Sequence, residues 1–108
     1  MEIINLTPHK IIIGEKAFEP TGSIARCHEE DILVSEINGI PVITRTYGDV
    51  TGVPDEKVNT VYIVSALVRM ALPKRHDLLS PGKLVRNEKG EAVGCENLVC
   101  NTSEESEE

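Results

Sequence analysis

The run Thr60-Val61-Tyr62-Ile63-Val64-Ser65-Ala66-Leu67-Val68-Arg69-Met70-Ala71-Leu72-Pro73 is the stretch from which the fold can be read. Val61 to Val64 are β-branched or aromatic without a break, which predicts a strand buried on both faces. Ser65 follows at once, and a serine oxygen is well suited to accept from a free N–H of a first helical turn. Leu67, Met70 and Ala71 recur at helical spacing, and Pro73 cannot continue the ladder. The unit is a strand, a tight turn and one short helix near 66–72. A helix of two turns is marginal alone, so packing must hold it.

Basic residues gather from this helix onward. Arg69, Lys74, Arg75, Lys83, Arg86 and Lys89 are six of the eleven Lys and Arg, and only Asp77 and Glu88 oppose them. His76 adds charge at mildly acid pH. Leu78-Leu79 reads as an apolar anchor inside this polar segment and Ser80-Pro81-Gly82 as a turn. A helix start, hydroxyls and several cationic groups close in sequence suit a phosphate or carboxylate ligand. The plainer alternative is a capped helix followed by a solvated basic loop.

Towards the N-terminus, Ile3 to Leu6 and Lys10 to Ile13 read as short strands around the break Thr7-Pro8-His9. Asn5, Thr7 and His9 either satisfy that bend through local backbone bonds or face a ligand. Ser23 to Cys27 alternates enough for a strand, and His28 to Asp31 reads as an exposed acidic connection. Ile32 to Ile37 and Ile40 to Tyr47 flank Asn38-Gly39, the strongest hairpin signal in the chain. Arg45 and Tyr47 share one face of the second strand, as surface residues or as part of a site. Gly48 to Asn59 reads as a loop. Lys83 to Arg86 and Ala92 to Val99 read as strands around the turn Asn87 to Gly90, with Gly94 marking a bulge.

The sum is an α+β chain of seven or eight short strands and one helix. The expected architecture is a mainly antiparallel or mixed sheet, curled or barrel-like, with the helix at one side. Its length of 108 residues fits one domain, placed at 1–100, followed by a disordered acidic tail at 101–108. That tail supplies four of the seven net negative charges, so the body is only mildly acidic.

Composition narrows the partners. The net charge of −7 repels bulk nucleic acid, and three aromatic residues cannot build a base-stacking platform. No basic, apolar leader opens the chain and no apolar stretch reaches the length of a membrane span, so a cytoplasmic protein is expected. Cys27, Cys95 and Cys100 are expected to be reduced thiols.

Four motifs occur together: Asn5-Leu6-Thr7-Pro8-His9, Arg45-Thr46-Tyr47-Gly48, Thr60 to Ser65, and Asp77-Leu78-Leu79-Ser80-Pro81-Gly82. In combination the chain resembles a family of small bacterial and phage-encoded proteins of about this length that open on the same five residues. The resemblance covers nearly everything but the acidic tail. It implies a complete small protein of phage or prophage origin, and it implies no catalytic residues.

Chemical motifs are otherwise missing. There is no Walker loop, GxGxxG, HExxH or GxSxG. Ser65 lacks the flanking glycines of a hydrolase nucleophile. The scattered His and Cys lack the Cys-x-x-Cys pairing of a structural zinc site, so neither metal nor cofactor is expected. The first functional expectation is a module binding an anionic small molecule, a nucleotide or phosphorylated metabolite. Its polar candidates are Asn5, Thr7, His9, Arg45, Tyr47, Ser65, Arg69, Arg75, His76, Ser80 and Arg86. Arg69, Arg75 and Arg86 would hold phosphates, Tyr47 or Tyr62 would stack, and Asn5 or Thr7 would read a polar edge. A pocket shared across a homodimer suits so small a domain. The rival classes are a protein-interaction module docking a host or virion protein, and a small hydrolase or transferase acting on a nucleotide.

Overall fold

The computed structural model describes residues 1–102. Ten strands and one helix run β1 Glu2–Asn5, β2 Ile11–Ile13, β3 Lys16–Phe18, β4 Arg26–Ile37, β5 Ile40–Thr51, β6 Thr60–Ile63, α1 Ala66–Ala71, β7 Leu78–Pro81, β8 Leu84–Arg86, β9 Ala92–Cys95 and β10 Leu98–Cys100. The fold is mostly β with one short helix, as the sequence predicts. The strands form two small mixed sheets and a separate ribbon, and the described residues close no barrel.

The first sheet has the order β1-β6-β7-β10. β6 lies parallel to both β1 and β7, and β10 runs antiparallel to β7. β6, α1 and β7 therefore make a βαβ unit, the connection that a parallel pair requires. Burial on both sides explains the unbroken apolar run of β6. Tyr62, Ile63, Val64, Val68 and Leu78 are all essentially inaccessible, and each contributes roughly 1.5–3 kcal/mol of burial. With Leu6 and Ala25 most of them form the core, and Ile4, Cys27, Val50, Val53 and Leu72 pack around it.

Ser65 caps α1 as expected, its Oγ accepting from Val68 N–H at 3.3 Å. The basic segment departs from expectation. Leu78 to Pro81 is not an anchored loop ending in a turn but the strand β7, paired with β6 through Tyr62↔Leu78 and Ile63↔Leu79. Burial on a parallel partner made a strand of a segment whose charged flanks look like loop.

The second sheet has the order β3-β2-β9-β8. The stretch predicted as one returning strand, Ala92 to Val99, is divided. β9 belongs to this sheet and β10 to the first, with Glu96 and Asn97 turning between them. Gly94 sits where an added Cβ would meet Ile12 O at 2.8 Å, so close approach of β2 explains that glycine. The turn Asn87 to Gly90 forms as predicted, with Asn87 Oδ1 accepting from Lys89 N–H and Glu91 N–H.

The ribbon is the Asn38-Gly39 hairpin, with both residues at positive φ. It is longer than the sequence suggests. His28 to Asp31 is not a connection but the middle of β4, and Gly48 to Thr51 is strand rather than loop. Cross-strand pairs such as Asp31↔Arg45 and Glu29↔Tyr47 hold these polar residues in extended form. Only the root reaches the core, through Cys27 and Val50.

Candidate functional site

The anion reading gathers eleven polar residues, and the fold distributes them over five places: the bend after β1, the end of α1, the ribbon, β8 and the start of α1. Asn5, Thr7 and His9 form the bend after β1. Asn5 Nδ2 donates to His9 O at 2.7 Å and to Phe18 O at 2.8 Å. Its Oδ1 accepts from Thr7 N–H at 2.9 Å and from Thr7 Oγ at 2.7 Å. Both donors and both acceptor positions of the Asn5 amide are engaged, and Asn5 and Thr7 are buried. Of the two readings that the sequence leaves open, local satisfaction of the bend describes Asn5 and Thr7. The His9 side chain is exposed.

Arg69, Arg75, His76 and Ser80 do come together at the end of α1, with Asn101 among them. Arg69 Nε donates to Ser80 Oγ at 2.8 Å and Nη1 to Asn101 Oδ1 at 3.0 Å. Asn101 Nδ2 faces three carbonyls, those of Arg69, Leu72 and Arg75, at 3.0–3.1 Å. His76 Nδ1 lies 3.0 Å from Asn101 O. Asn101 is buried, although the sequence places it at the start of the tail. The remaining tail positions, 103–108, lie outside the described residues. Arg75 grips Asp77 with two bonds of 2.8 Å and donates to Pro54 O at 2.9 Å. That grip holds the Asp77 carboxyl below its ordinary range and raises Arg75. Hence the cationic corner is largely engaged by the protein itself.

Arg45 and Tyr47 lie on the ribbon, away from both clusters. Arg45 is bonded to Asp31 at 2.6 and 3.3 Å, which lowers the Asp31 pKa and raises its own. Arg86, on exposed β8, donates to Gly90 O at 2.8 Å within its own turn. Ser65 is the helix cap, its Oγ engaged by Val68 N–H.

The clefts follow the same division. One of about 450 Å³ beside Arg75 includes Asp49, and one of about 640 Å³ at the ribbon root includes both Glu29 and Asp49. A carboxylate in each opposes an anion. A groove of about 540 Å³ between β2 and β9 differs, since His9 and Lys10 border an otherwise apolar lining with no carboxylate. No cluster of three His, Cys, Asp or Glu suited to a metal occurs among the described residues. No helix among them is long and apolar enough to cross a membrane.

The outstanding surface is the tip of the ribbon, which sequence reasoning read as an ordinary hairpin. Ile32, Leu33, Val34, Ile37, Ile40 and Ile43 are 42–67% exposed. Between 32 and 43 the only charged side chain is Glu36. The signal was present in the sequence, because apolar residues fill neighbouring positions there instead of alternating with polar ones. Comparison with known proteins found no matching family model, curated protein or solved structure.

Proposed function

We propose that this chain is a protein-interaction module whose working surface is the β4–β5 ribbon. One observation carries the reading: a two-stranded arm with an apolar, uncovered tip. Two strands alone are marginally stable in water, and monomeric proteins rarely leave large apolar patches open. An arm rooted in the core by Cys27 and Val50 and free at its tip is built to meet another surface. The resemblance to small bacterial and phage-encoded proteins puts host and virion proteins among the candidates. The test is a shortened arm, with residues 32–43 replaced by an Asn-Gly turn. The body should keep its Tm while every protein association is lost. Loss of folding, or associations that persist unchanged, would defeat the reading.

A second reading, an anionic small-molecule binder, draws support from the β2–β9 groove. Its volume lies within the usual range of ligand pockets, and Lys10, 3.4 Å from Glu19, sets a cation at its edge beside the His9 ring. The ligand would be an amphiphilic anion such as a nucleotide. A thermal-shift screen against nucleotides, repeated with Lys10→Glu, tests it: a shift of several degrees that the substitution abolishes supports binding there.

A further inference from the structure

We infer that the β2–β9 groove takes a linear aliphatic monocarboxylate, the chemistry of a medium-chain fatty acid, with its carboxylate at Lys10 and its chain running toward Cys95. The inference rests on the small-molecule reading above and names the ligand class. Sheet register shapes the groove. β2 and β9 run parallel and pair only at Ile13↔Cys95. Their first residues, Ile11 and Ala92, lie outside that pairing, and the groove of about 540 Å³ opens beside them. Cys95 also pairs with Leu84 of β8, so Ile11, Ile13, Cys95 and Leu84 share one side of the sheet. Pro81, at the end of β7, adds a wall from the first sheet. Cys95 is only 3% exposed and forms the deep end, whereas His9 and Lys10 are exposed at the mouth.

The lining selects the ligand. Among its residues only His9, Lys10 and the weakly polar Cys95 thiol carry polar side-chain atoms. A nucleobase and ribose would leave water there without gaining partners, which disfavours a nucleotide. An alkyl chain has no such loss, and its burial is favourable in proportion to its length. Apart from the His9 ring at the mouth, no aromatic side chain offers a stacking surface. One ammonium at one end matches one carboxylate. The present partner of Lys10 is Glu19, and both side chains are more than half exposed, so solvent screens the pair and a ligand can replace it. From Lys10 to Ile13 the strand rises roughly 10 Å. With carbon–carbon bonds of about 1.5 Å, an extended chain of about eight to ten carbons spans that length.

Calorimetric titration of the full chain with sodium hexanoate, octanoate, decanoate and dodecanoate tests the inference. One ligand should bind per chain, and each step up to decanoate should tighten binding roughly four- to tenfold. Dodecanoate should gain no more, its last carbons lying beyond the groove. Lys10→Glu should weaken decanoate binding at least tenfold. Glu19→Gln, which removes the competing carboxylate, should tighten it about two- to fivefold. Leu84→Glu sets a charge in the half-exposed wall and should abolish binding with the Tm of the free protein kept; if this variant fails to fold, Lys10→Glu and Glu19→Gln decide the case. Absence of binding, affinity independent of chain length, or binding that survives Lys10→Glu overturns the inference. If AMP raises the Tm through Lys10 while no carboxylate binds, this inference fails and the small-molecule reading stands. If neither AMP nor any carboxylate binds, both fail.

Discussion

Arg69 and Asn101, thirty-two positions apart, hold each other twice. The guanidinium donates to the Asn101 side-chain oxygen at 3.0 Å, and the Asn101 amide donates back to Arg69 O at 3.1 Å. With Leu72 O and Arg75 O as further acceptors, Asn101 serves as a cap for the helix end. A helix leaves its last carbonyls without internal partners, and here a side chain just beyond β10 supplies them. Asn101→Ala would leave one arm of Arg69 unpaired and take the second donor from these carbonyls, which keep the backbone N–H groups of Leu72, Arg75 and Leu78. The expected cost is about 2–3 kcal/mol, a fall in Tm of roughly 10–20 °C. Calorimetry checks this, and a change of under a degree would place Asn101 outside the stabilising structure.

The Arg75–Asp77 pair makes stability depend on acid. The Asp77 side chain is only 13% exposed and its carboxyl is held below the ordinary range by the hydrogen bonds from Arg75. Its contribution is therefore present above the unfolded carboxyl pKa of about 3.9 and is lost as pH falls through the lower folded value. Asp77→Asn should be less stable than wild type at pH 7, on the order of 1–3 kcal/mol. The gap should hold to about pH 5 and close below pH 4. Urea melts of both proteins across that range provide the measurement, and a gap that widens in acid would contradict the assignment.

The pair on the ribbon has similar geometry and a different expected outcome. Asp31 and Arg45 are each about half exposed, 48% for both side chains. Solvent screens such a pair and the side-chain entropy of holding it offsets most of the gain. Arg45→Gln should leave the Tm of the body within experimental error. A drop comparable to that of Asp77→Asn would mean that the ribbon folds against something that shields the pair.

The β6–α1 unit was legible because its signals agree: an apolar run, a serine cap and a proline stop. The hairpin turn was legible from Asn38-Gly39. β7 was not, because Leu78-Leu79-Ser80-Pro81 carries too short an apolar pattern to show that a parallel neighbour lies on each side of β6. The length of the ribbon was hidden for another reason. His28-Glu29-Glu30-Asp31 has the composition of a loop, and only its partners across the ribbon make it a strand. The candidate anion site was legible as a cluster and not as a function. Sequence shows that Arg69, Arg75 and His76 are neighbours, but not that Asn101, Asp77 and Pro54 O already engage them. The resemblance could not correct this, since it implied no site residues.

Gly52 marks where β5 leaves the ribbon, and its conformation fixes the root of the arm. Its φ is +84°, and an added Cβ would lie 2.5 Å from Ile24 O, a backbone atom that cannot swing aside. Gly39, at the tip, has φ +81° with open space around it. Both substitutions to alanine force a side chain into the left-handed region, at a cost of roughly 1 kcal/mol. Gly52→Ala adds a backbone collision, bringing its expected cost to about 3 kcal/mol or more. The movement that relieves the collision shifts Ile24 and Ala25, which is buried in the core next to Cys27. The Cys27 thiol should then react faster with a disulfide reagent in Gly52→Ala and at the wild-type rate in Gly39→Ala. Denaturant melts and thiol kinetics on the two variants measure the two effects separately. Equal costs in both variants would show that the ribbon root yields freely, and that the arm is not held at a fixed angle by the core.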